Sequence, residues 1–387
     1  MTFLFQQKLL SSIQMSNIHG IQNIMKIFKM TYNFLLSPFV EAFVILWVIT
    51  PLLYQACGNA FDEKKPNQEG GCDASVGNWI IDDFDYPLYN ASTDCPFIVK
   101  GFDCLRNGRP DHGYLKYKWK PFGCNLPRFD GQKFLERNRG KKIMFVGDSI
   151  SNNMWQSLTC LLHIAVPESN YTITTQRKNL FAFLFPEYEA SIMWLKNGFL
   201  VDVVRDKEKG RIIKLDSIET GFLWKDVDVL IFNTYHWWTH IGQSNKWAYV
   251  QVGDKIIEGM DYIEAYKIGL TTWANWIDSN IDQSKIKVLF QGIAASHSGG
   301  VNCVEQTEPE EELEAPHPGL DIAKSILSNM TNPVDLLDIT LLTQLRIDGH
   351  PSIYSGRGTS YVDCSHWCLA GVPDTWNELL YATLIQN

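Results

Sequence analysis

A short apolar run that stops at Gly-Asp-Ser constrains the fold of this chain more than any other stretch. The segment KKIMFVGDSISNNMWQSL contains Ile143–Val146, followed by Gly147, Asp148 and Ser149. A brief run of strand-forming residues ended by glycine predicts a buried strand, and residues 150–162 predict a helix. Ser149 should therefore lie at a strand-to-helix turn, beside unpaired N–H groups at the positive end of a helix dipole.

A serine in that position has two interpretations. It can be a nucleophile whose oxyanion intermediate meets the helix N–H groups, or part of an ordinary turn in which Asp148 or Ser149 caps the helix. The far end of the chain favours the nucleophile, because Asp363 and His366 lie three residues apart before a predicted helix. A serine nucleophile needs a base, and the base needs an orienting group. An early serine with a late Asp-x-x-His is the layout of GDSL/SGNH hydrolases.

Four sequence blocks carry a family resemblance. They are Gly147 to Ser149, Trp155 six residues after that serine, the LIFNTYHWW run and the final DCSHWC-x-x-GVPDTWNELL. Together they resemble the plant trichome birefringence-like family of polysaccharide O-acetyltransferases. Within that family, the segments SLTCLLHIAVPESNYT and IFNTYHWWTHIG are most similar to the powdery mildew resistance 5 type. The resemblance runs from about Cys72 to the C-terminus. It implies a Ser149 nucleophile, a His366 base and an orienting Asp363.

Strands alternate with helices along the chain, which predicts a mostly parallel sheet covered on both faces. The expected fold is an SGNH/GDSL-like three-layer α/β/α sandwich with a disulfide-stapled N-terminal subdomain. Further strands are predicted at 199–204, 227–232 and 288–290, and helices at 262–279, 334–344 and 375–385. The expected organisation is a signal peptide or anchor at 1–60, a cysteine-rich subdomain at 61–135 and a catalytic domain at 136–387.

The N-terminus contains a strongly apolar stretch, Ala42–Tyr54, after scattered lysines. Its length, with Pro51 inside it, favours the hydrophobic region of a signal peptide over a membrane-spanning helix. A signal counted from Met1 would be unusually long, so a start at Met25 or Met30, or a retained anchor, stays open. Cleavage near residues 58–60 would remove Cys57 and leave eight cysteines.

The nine cysteines are scattered without paired C-x-x-C motifs, which favours an oxidised framework over a metal site. The family resemblance implies the pairs Cys72–Cys124, Cys95–Cys160, Cys104–Cys368 and Cys303–Cys364. Glycosylation sequons begin at Asn90, Asn170 and Asn329. These features indicate the secretory pathway, with the protein in the Golgi lumen, membrane-anchored or soluble, or secreted to the cell wall.

The charge distribution bears on the partner. A net charge of −9 argues against nucleic acid, but the segment from Lys100 to Lys142 holds twelve Lys or Arg and four acidic residues, a net +8. That segment is either a solvated face or a surface for an anionic polymer. The second interpretation, together with the resemblance to the powdery mildew resistance 5 type, favours pectic galacturonan as acceptor, with xylan or mannan next.

Several other residues have both a functional and a structural interpretation. Asn233 at a strand end is a candidate oxyanion donor or a turn asparagine, and Trp237 and Trp238 are a sugar platform or core. His350, with Asp348, competes with His366 as the base, but a structural hydrogen bond is the favoured role. His297 is a candidate for the acceptor site or an exposed loop histidine, and the second is expected, because its loop reads Gly-Ile-Ala-Ala-Ser-His where the family usually has Gly-Ile-Ser-Pro-Asp-His.

The expected mechanism is a ping-pong acetyl transfer through acetyl-Ser149, with the oxyanion held by the Ser149 N–H and Asn233. No glycine-rich phosphate loop is present, so no bound cofactor or metal is expected, and acetyl-CoA or another acetylated carrier serves as co-substrate. One alternative is a carbohydrate acetylesterase of the same fold. The other is a non-catalytic protein that binds wall polysaccharide.

Overall fold

The computed structural model describes residues 73–176, 179–240, 247–298, 302–310 and 317–385. The predicted signal or anchor at 1–60, with Cys57, lies outside these residues, as does Cys72. Within the described ranges, no helix combines the length and the apolar character needed to cross a membrane.

The described residues form thirteen strands and seven α-helices. The strands are β1 (Gly77–Ile81), β2 (Tyr117–Pro121), β3 (Lys142–Gly147), β4 (Thr172–Gln176), β5 (Leu180–Phe185), β6 (Ala190–Lys196), β7 (Asp202–Asp206), β8 (Gly210–Lys214), β9 (Val229–Phe232), β10 (Tyr249–Val252), β11 (Lys255–Glu258), β12 (Lys287–Gln291) and β13 (Asp335–Leu337). The helices are α1 (Ala91–Asp94), α2 (Gly131–Arg137), α3 (Ser149–Ala165), α4 (Tyr262–Asn280), α5 (Pro318–Ser328), α6 (Thr340–Gln344) and α7 (Val372–Ile385). Short 3₁₀ turns lie at Lys100–Phe102, Gly113–Lys116, Pro186–Tyr188, Thr220–Trp224 and Ile347–Gly349.

A seven-stranded sheet, in the order β13-β12-β9-β3-β6-β5-β4, forms the centre of the protein. The first five strands of that order are parallel, whereas β5 runs antiparallel to both β6 and β4. The strand before Ser149, β3, lies in the middle of the sheet. Its carboxyl end is therefore at the centre of the edge where parallel strands present functional groups.

Side chains of β3 alternate between two cores. Met144 and Val146 pack with the apolar faces of α4 and α5, whereas Ile143 and Phe145 pack with α2, α3 and α7. Successive strand residues point to opposite faces, so one apolar run serves both cores. The predicted three-layer α/β/α sandwich is confirmed.

Two predicted elements are wrong. The helix predicted at 334–344 is divided, because Asp335–Leu337 pairs with β12 as an edge strand and α6 begins only at Thr340. The strand predicted at 199–204 begins at Asp202 and belongs to a second sheet of four strands, β11-β10-β8-β7. Residues Phe199 to Val201 are instead buried against the first core.

The segment before α2 covers the central body. Its only regular pair among the described residues is β1 with β2, and the rest is turns and short helices. Trp79 Nε1 donates to the Leu342 carbonyl oxygen over 2.9 Å. Disulfides Cys95–Cys160 and Cys104–Cys368 join the segment to α3 and to the loop before α7. This segment therefore takes its stability from the body it covers.

Candidate active site

Ser149 is the first residue of α3, directly after β3. The Asp148 carboxylate caps the helix by accepting a 2.8 Å hydrogen bond from the Ile150 N–H. Glycine is required at position 147, because a Cβ there would collide with the Asn233 carbonyl oxygen and the Ser151 hydroxyl. Ser149 is half-buried. The predicted strand-to-helix turn is confirmed, and the serine lies at the positive end of a 17-residue helix.

His366 is bound to Asp363 through one ring nitrogen. Nδ1 lies 2.8 Å from Asp363 Oδ2 and 3.0 Å from Oδ1. Burial would raise the pKa of Asp363, but the hydrogen bond and charge of His366, with N–H groups of His366 and Ser365, hold that pKa well below its ordinary value. Asp363 therefore stays ionised and fixes the imidazole through Nδ1, so that Nε2 is the ring nitrogen that Asp363 does not bind.

The loop that carries this pair is held on both sides. Cys303–Cys364 and Cys104–Cys368 are disulfides, as the family resemblance implies, and Cys124 is also disulfide-bonded. The side chain of Asn153 on α3 bonds both the N–H and the carbonyl of Trp367, at 3.0 and 2.9 Å. We name residues 363–368 the base loop, after the predicted role of His366. This loop is thus fixed against the helix that begins at Ser149.

A cleft of about 560 Å³ contains all three predicted site residues in its lining, Ser149, Asp363 and His366. Phe102 closes one side with its ring 5.6 Å from that of His366. Trp237 and Trp194 also line the cleft. The geometry places a hydroxyl, an oriented imidazole and aromatic surface around one space large enough for a sugar ring.

The cleft is cationic, although the protein is acidic overall. Lys100, Lys196 and Arg357 line it, and among the residues that the structure describes the single lining acid is Asp363, which is bound by His366. Sequence reasoning missed Lys196 and Arg357, because no motif marks a cation that folding brings to a cleft from a distant segment.

The basic segment from Lys100 to Lys142 contributes less positive charge to the cleft than its net charge suggests. Lys116, Lys118 and Arg128 form ion pairs with aspartates of the preceding turn, and Arg109 pairs with Asp111. Lys100 is its only cation in the cleft lining. The cations beside Ser149 therefore come mainly from elsewhere in the chain.

The two tryptophans after β9 have different places. Trp238 is fully buried and donates from Nε1 to Thr234 Oγ1 over 2.8 Å, so its predicted role in a sugar platform is wrong. Trp237 is half-buried and faces the cleft, with its ring 5.5 Å from that of Phe199. Glycine at 198 makes room for this ring, which a Cβ would strike.

Asn233 directly follows β9 and is buried. Its N–H donates to the Val146 carbonyl oxygen over 2.9 Å, which fixes it beside the turn at Gly147. Among the described residues its side-chain oxygen has no hydrogen-bond partner. Its role as an oxyanion donor stays a prediction.

His297 and His350 are both buried, so the expected exposure of His297 is wrong. The loop after β12 folds inward, because the His297 N–H donates to the Cys364 carbonyl oxygen over 3.0 Å. His350 Nδ1 lies 2.6 Å from the His366 carbonyl oxygen. Asp348 is bound by Arg346 at 2.7 Å, so it does not orient His350. His350 thus has the structural hydrogen bond that was its favoured interpretation.

The three sequon asparagines, Asn90, Asn170 and Asn329, are all exposed. Asn90 also caps α1, and its side chain accepts from the Ser92 N–H over 3.1 Å. Glycosylation at these positions stays a prediction.

Family models match both parts of the chain. Residues 126–383 match the GDSL/SGNH-like acyl-esterase family found in Pmr5 and Cas1p. Residues 70–125 match the PMR5 N-terminal domain. The chain therefore belongs to the GDSL/SGNH-like acyl-esterase family.

Within that family the chain is similar to trichome birefringence-like proteins of Arabidopsis thaliana. It is 52% identical to protein trichome birefringence-like 42 over 326 residues, which cover 82% of this chain and 90% of that protein. Identity to protein trichome birefringence-like 43 is 49%, over 82% of this chain and 89% of that protein. Identity to protein trichome birefringence-like 41 is 46%, over 89% of this chain and 95% of that protein. The family resemblance read from the sequence is confirmed.

Proposed function

We propose that this protein transfers acetyl groups to hydroxyls of a plant cell-wall polysaccharide, with Ser149 as nucleophile, His366 as general base and Asp363 as its orienting carboxylate. The observation that carries the proposal is the His366–Asp363 pair, bound over 2.8 Å, in one cleft with a helix-terminal serine. Membership in an acyl-esterase family supports the same chemistry.

In the first half-reaction His366 Nε2 takes the proton of the Ser149 hydroxyl as Oγ attacks the acetyl carbonyl carbon of the donor. The negative charge that develops on the carbonyl oxygen is stabilised by N–H groups at the start of α3, with Asn233 as a further donor. His366 returns the proton to the leaving group of the donor. The product is acetyl-Ser149.

In the second half-reaction a sugar hydroxyl attacks the acetyl carbonyl carbon and gives its proton to His366. The tetrahedral intermediate collapses, the Ser149 oxygen leaves with that proton, and an O-acetyl sugar departs. The donor is acetyl-CoA or another acetylated carrier, used as a co-substrate. No bound cofactor or metal takes part in the proposed steps.

The proposed acceptor is an acidic polysaccharide, with pectic galacturonan favoured over xylan and mannan. The support is the charge of the cleft, in which Lys100, Lys196 and Arg357 face a space shared with Trp237. A sugar ring stacks on an aromatic face, and its carboxylate pairs with a nearby cation.

The proposed location is the secretory pathway, in the Golgi lumen or after secretion to the wall. Three disulfides support it, because such bonds persist in oxidising compartments.

Two other functions are separated from transfer by experiment. An acetylesterase would use the same acyl-serine but give it to water, and it would release acetate from acetylated polymer without a donor. A non-catalytic binding protein would need none of Ser149, His366 and Asp363, and it would bind polymer equally well after Ser149→Ala.

The test is intact-mass spectrometry of the purified protein after incubation with an acetyl donor, and then with oligogalacturonide or xylo-oligosaccharide. We expect a 42 Da adduct, the mass that acetylation adds to any hydroxyl, that maps to Ser149, is absent in Ser149→Ala and moves to the sugar. Loss of the adduct to water alone would favour the esterase. If wild type stays unmodified and binds the polymer with the same affinity as Ser149→Ala, the proposal that the protein is an enzyme is refuted.

A further inference from the structure

Two buried imidazoles lie behind the base loop and form a continuous chain of contacts. His350 Nδ1 lies 2.6 Å from the His366 carbonyl oxygen, and His350 Nε2 lies 2.7 Å from His297 Nδ1. His297 Nε2 lies 3.0 Å from the carbonyl oxygen of Gln344, the last residue of α6. The chain thus connects His366 to the end of a helix through two side chains that are 1% and 3% exposed.

Counting protons constrains this chain. The carbonyl oxygens at its two ends only accept hydrogen bonds, so His350 Nδ1 and His297 Nε2 must both be N–H donors. The central contact between the rings needs one further N–H. Three contacts therefore need three ring protons, whereas two neutral imidazoles carry only two. A neutral pair would leave one buried contact as a repulsion between lone pairs, which is costly in the interior.

The third proton belongs on His297. Burial is the largest cause that lowers the pKa of His350, to about 3, so His350 stays neutral with its single proton on Nδ1. Its Nε2 is then an acceptor, and His297 must donate from both nitrogens. The carbonyl at the end of α6 suits a cationic donor.

In the described part of the chain, the charged groups around the pair are few. Asp363 and His366 face it from the base loop, and Arg109 donates to the His350 carbonyl oxygen over 3.0 Å. The Arg346–Asp348 ion pair follows α6. The His350 ring also stacks on Trp367, with centroids 4.1 Å apart, so it cannot turn away from the His366 carbonyl without losing that contact.

We propose that His297 and His350 are positioning residues for His366, and that they share three ring protons, two of them on His297. The pair fixes the backbone of the base by donating to its carbonyl oxygen, while the Asp363 carboxylate fixes its ring. The inference rests on the proposed role of His366 as base. The proton count itself does not depend on that role.

The proton count is tested by NMR on the protein labelled with ¹⁵N-histidine. Long-range ¹H–¹⁵N spectra distinguish protonated from bare ring nitrogens, and His297→Asn and His350→Asn assign the signals. From the hydrogen-bond geometry we expect His297 protonated on both nitrogens and His350 on Nδ1 alone in the folded protein under the assay conditions. A single ring proton on His297 in those spectra contradicts the proposal.

The positioning role is tested with two substitutions at one site. His350→Phe keeps a ring against Trp367 but no hydrogen bond, whereas His350→Asn keeps a donor for the His366 carbonyl and an acceptor for His297. We expect His350→Phe to lower kcat at least about tenfold with KM unchanged, as part of the general-base contribution is lost, and His350→Asn to restore most of it.

His163→Phe is the matched control, because this histidine lies on α3 among aromatic rings, 4.9 Å from that of Tyr171. It should leave kcat unchanged. Assays are run well below each melting temperature, so that loss of fold is separated from misplacement of the base. If His350→Phe folds and turns over like wild type, the pair does not position His366. If His350→Phe does not fold, the kcat of His350→Asn and the NMR spectra decide.

Failure of the proposed function gives a different result. A wild-type protein that forms no acetyl-Ser149 removes the catalytic role of His366, while the NMR spectra still decide the proton count. If wild type forms the adduct and His350→Phe has the kcat of wild type, the proposed function stands and the positioning role of His297 and His350 is refuted.

Discussion

At residue scale, the proposed chemistry depends on one carboxylate that holds one imidazole. Asp363 is 6% exposed and binds His366 Nδ1 with both oxygens, while its own N–H and carbonyl pair with Ser352 at 3.0 and 2.8 Å. A neutral side chain of the same shape would keep the packing but not the charge. The contribution of the charge can therefore be measured separately from that of the shape.

We expect Asp363→Asn to slow formation of acetyl-Ser149 by roughly 10³- to 10⁴-fold, because an amide can hold His366 in the wrong tautomer and cannot stabilise the imidazolium. The rate of adduct formation by mass spectrometry measures this. Asp226→Asn, at an exposed position before β9, is the control and should react at the wild-type rate. An Asp363→Asn protein that is nearly as fast as wild type would remove Asp363 from the mechanism.

A second prediction at this scale concerns the charge of the acceptor. In the Ser149→Ala protein, Lys196→Gln should weaken binding of oligogalacturonide by about tenfold, the value of one charge-assisted contact. Binding of the methyl ester of the same oligosaccharide should not change. Lys133→Gln, an exposed lysine of α2 within the basic segment, should change neither. Titration calorimetry of both ligands with all variants is the measurement. Equal binding of acid and ester by wild type would contradict a carboxylate contact.

The sequence predicted that Ser149, Asp363 and His366 share one site, and the structure brings them into one cleft, but the sequence did not predict what surrounds them. Their catalytic roles stay a prediction. Lys196 lies at the end of a strand that no motif marks, and it reaches the cleft only because β6 pairs with β3. His297 was misjudged because burial of a loop depends on what covers it.

At element scale, α7 carries two carboxyl groups into the interior. Asp374 and Glu378 are 3% and 4% exposed. Tyr89 donates to Asp374 over 2.8 Å, and Tyr86 donates to Glu378 over 2.6 Å. Burial raises the pKa of Asp374 to about 6 and that of Glu378 to about 7. The tyrosine hydrogen bonds favour the ionised acids, but burial outweighs them, so the folded protein is most stable when both acids are protonated.

The sign of the pH dependence follows from those raised values. Each acid contributes stability that is complete below its unfolded pKa, near 4, and that is lost as pH rises through the folded pKa of about 6 or 7. The unfolding free energy of wild type should fall between pH 4 and 8, and in Glu378→Gln this fall should be smaller by up to about 3 kcal/mol. Denaturant unfolding at several pH values measures this. Glu168→Gln, an exposed loop position, should retain the full slope, and an unchanged slope in Glu378→Gln would contradict the argument.

Element prediction succeeded where periodicity and length were strong and failed at the edges of sheets. The helices α3, α4 and α7 have long apolar faces and were found within three residues at each end. Strand β13 was taken as the start of a helix, because Leu336 and Leu337 fit either period and only pairing with β12 decides between them. Strands β5 and β6 were not predicted, although they complete the central sheet.

At the scale of the whole molecule, disulfides connect parts that are far apart in the chain. Cys104–Cys368 closes a separation of 264 residues and Cys303–Cys364 one of 61, and both flank the Asp363–His366 pair. Cys95–Cys160 closes 65 residues and ends in α3, several turns from Ser149. All three restrict the unfolded chain, but only the first two act on the base loop.

Removing each bridge separates these two effects. Replacing any one of the three cysteine pairs by alanines should lower the free energy of unfolding by about 2–5 kcal/mol, since each disulfide limits the unfolded ensemble. Only Cys104→Ala/Cys368→Ala and Cys303→Ala/Cys364→Ala should also lower the rate of acetyl-Ser149 formation in protein that is still folded. Cys95→Ala/Cys160→Ala is the matched control, because it loses a loop of similar length to that of Cys303–Cys364 without freeing the base. If all three double variants lose stability and none loses rate below its melting temperature, the base loop is held by its hydrogen bonds to Ser352, Asn153 and His350 alone.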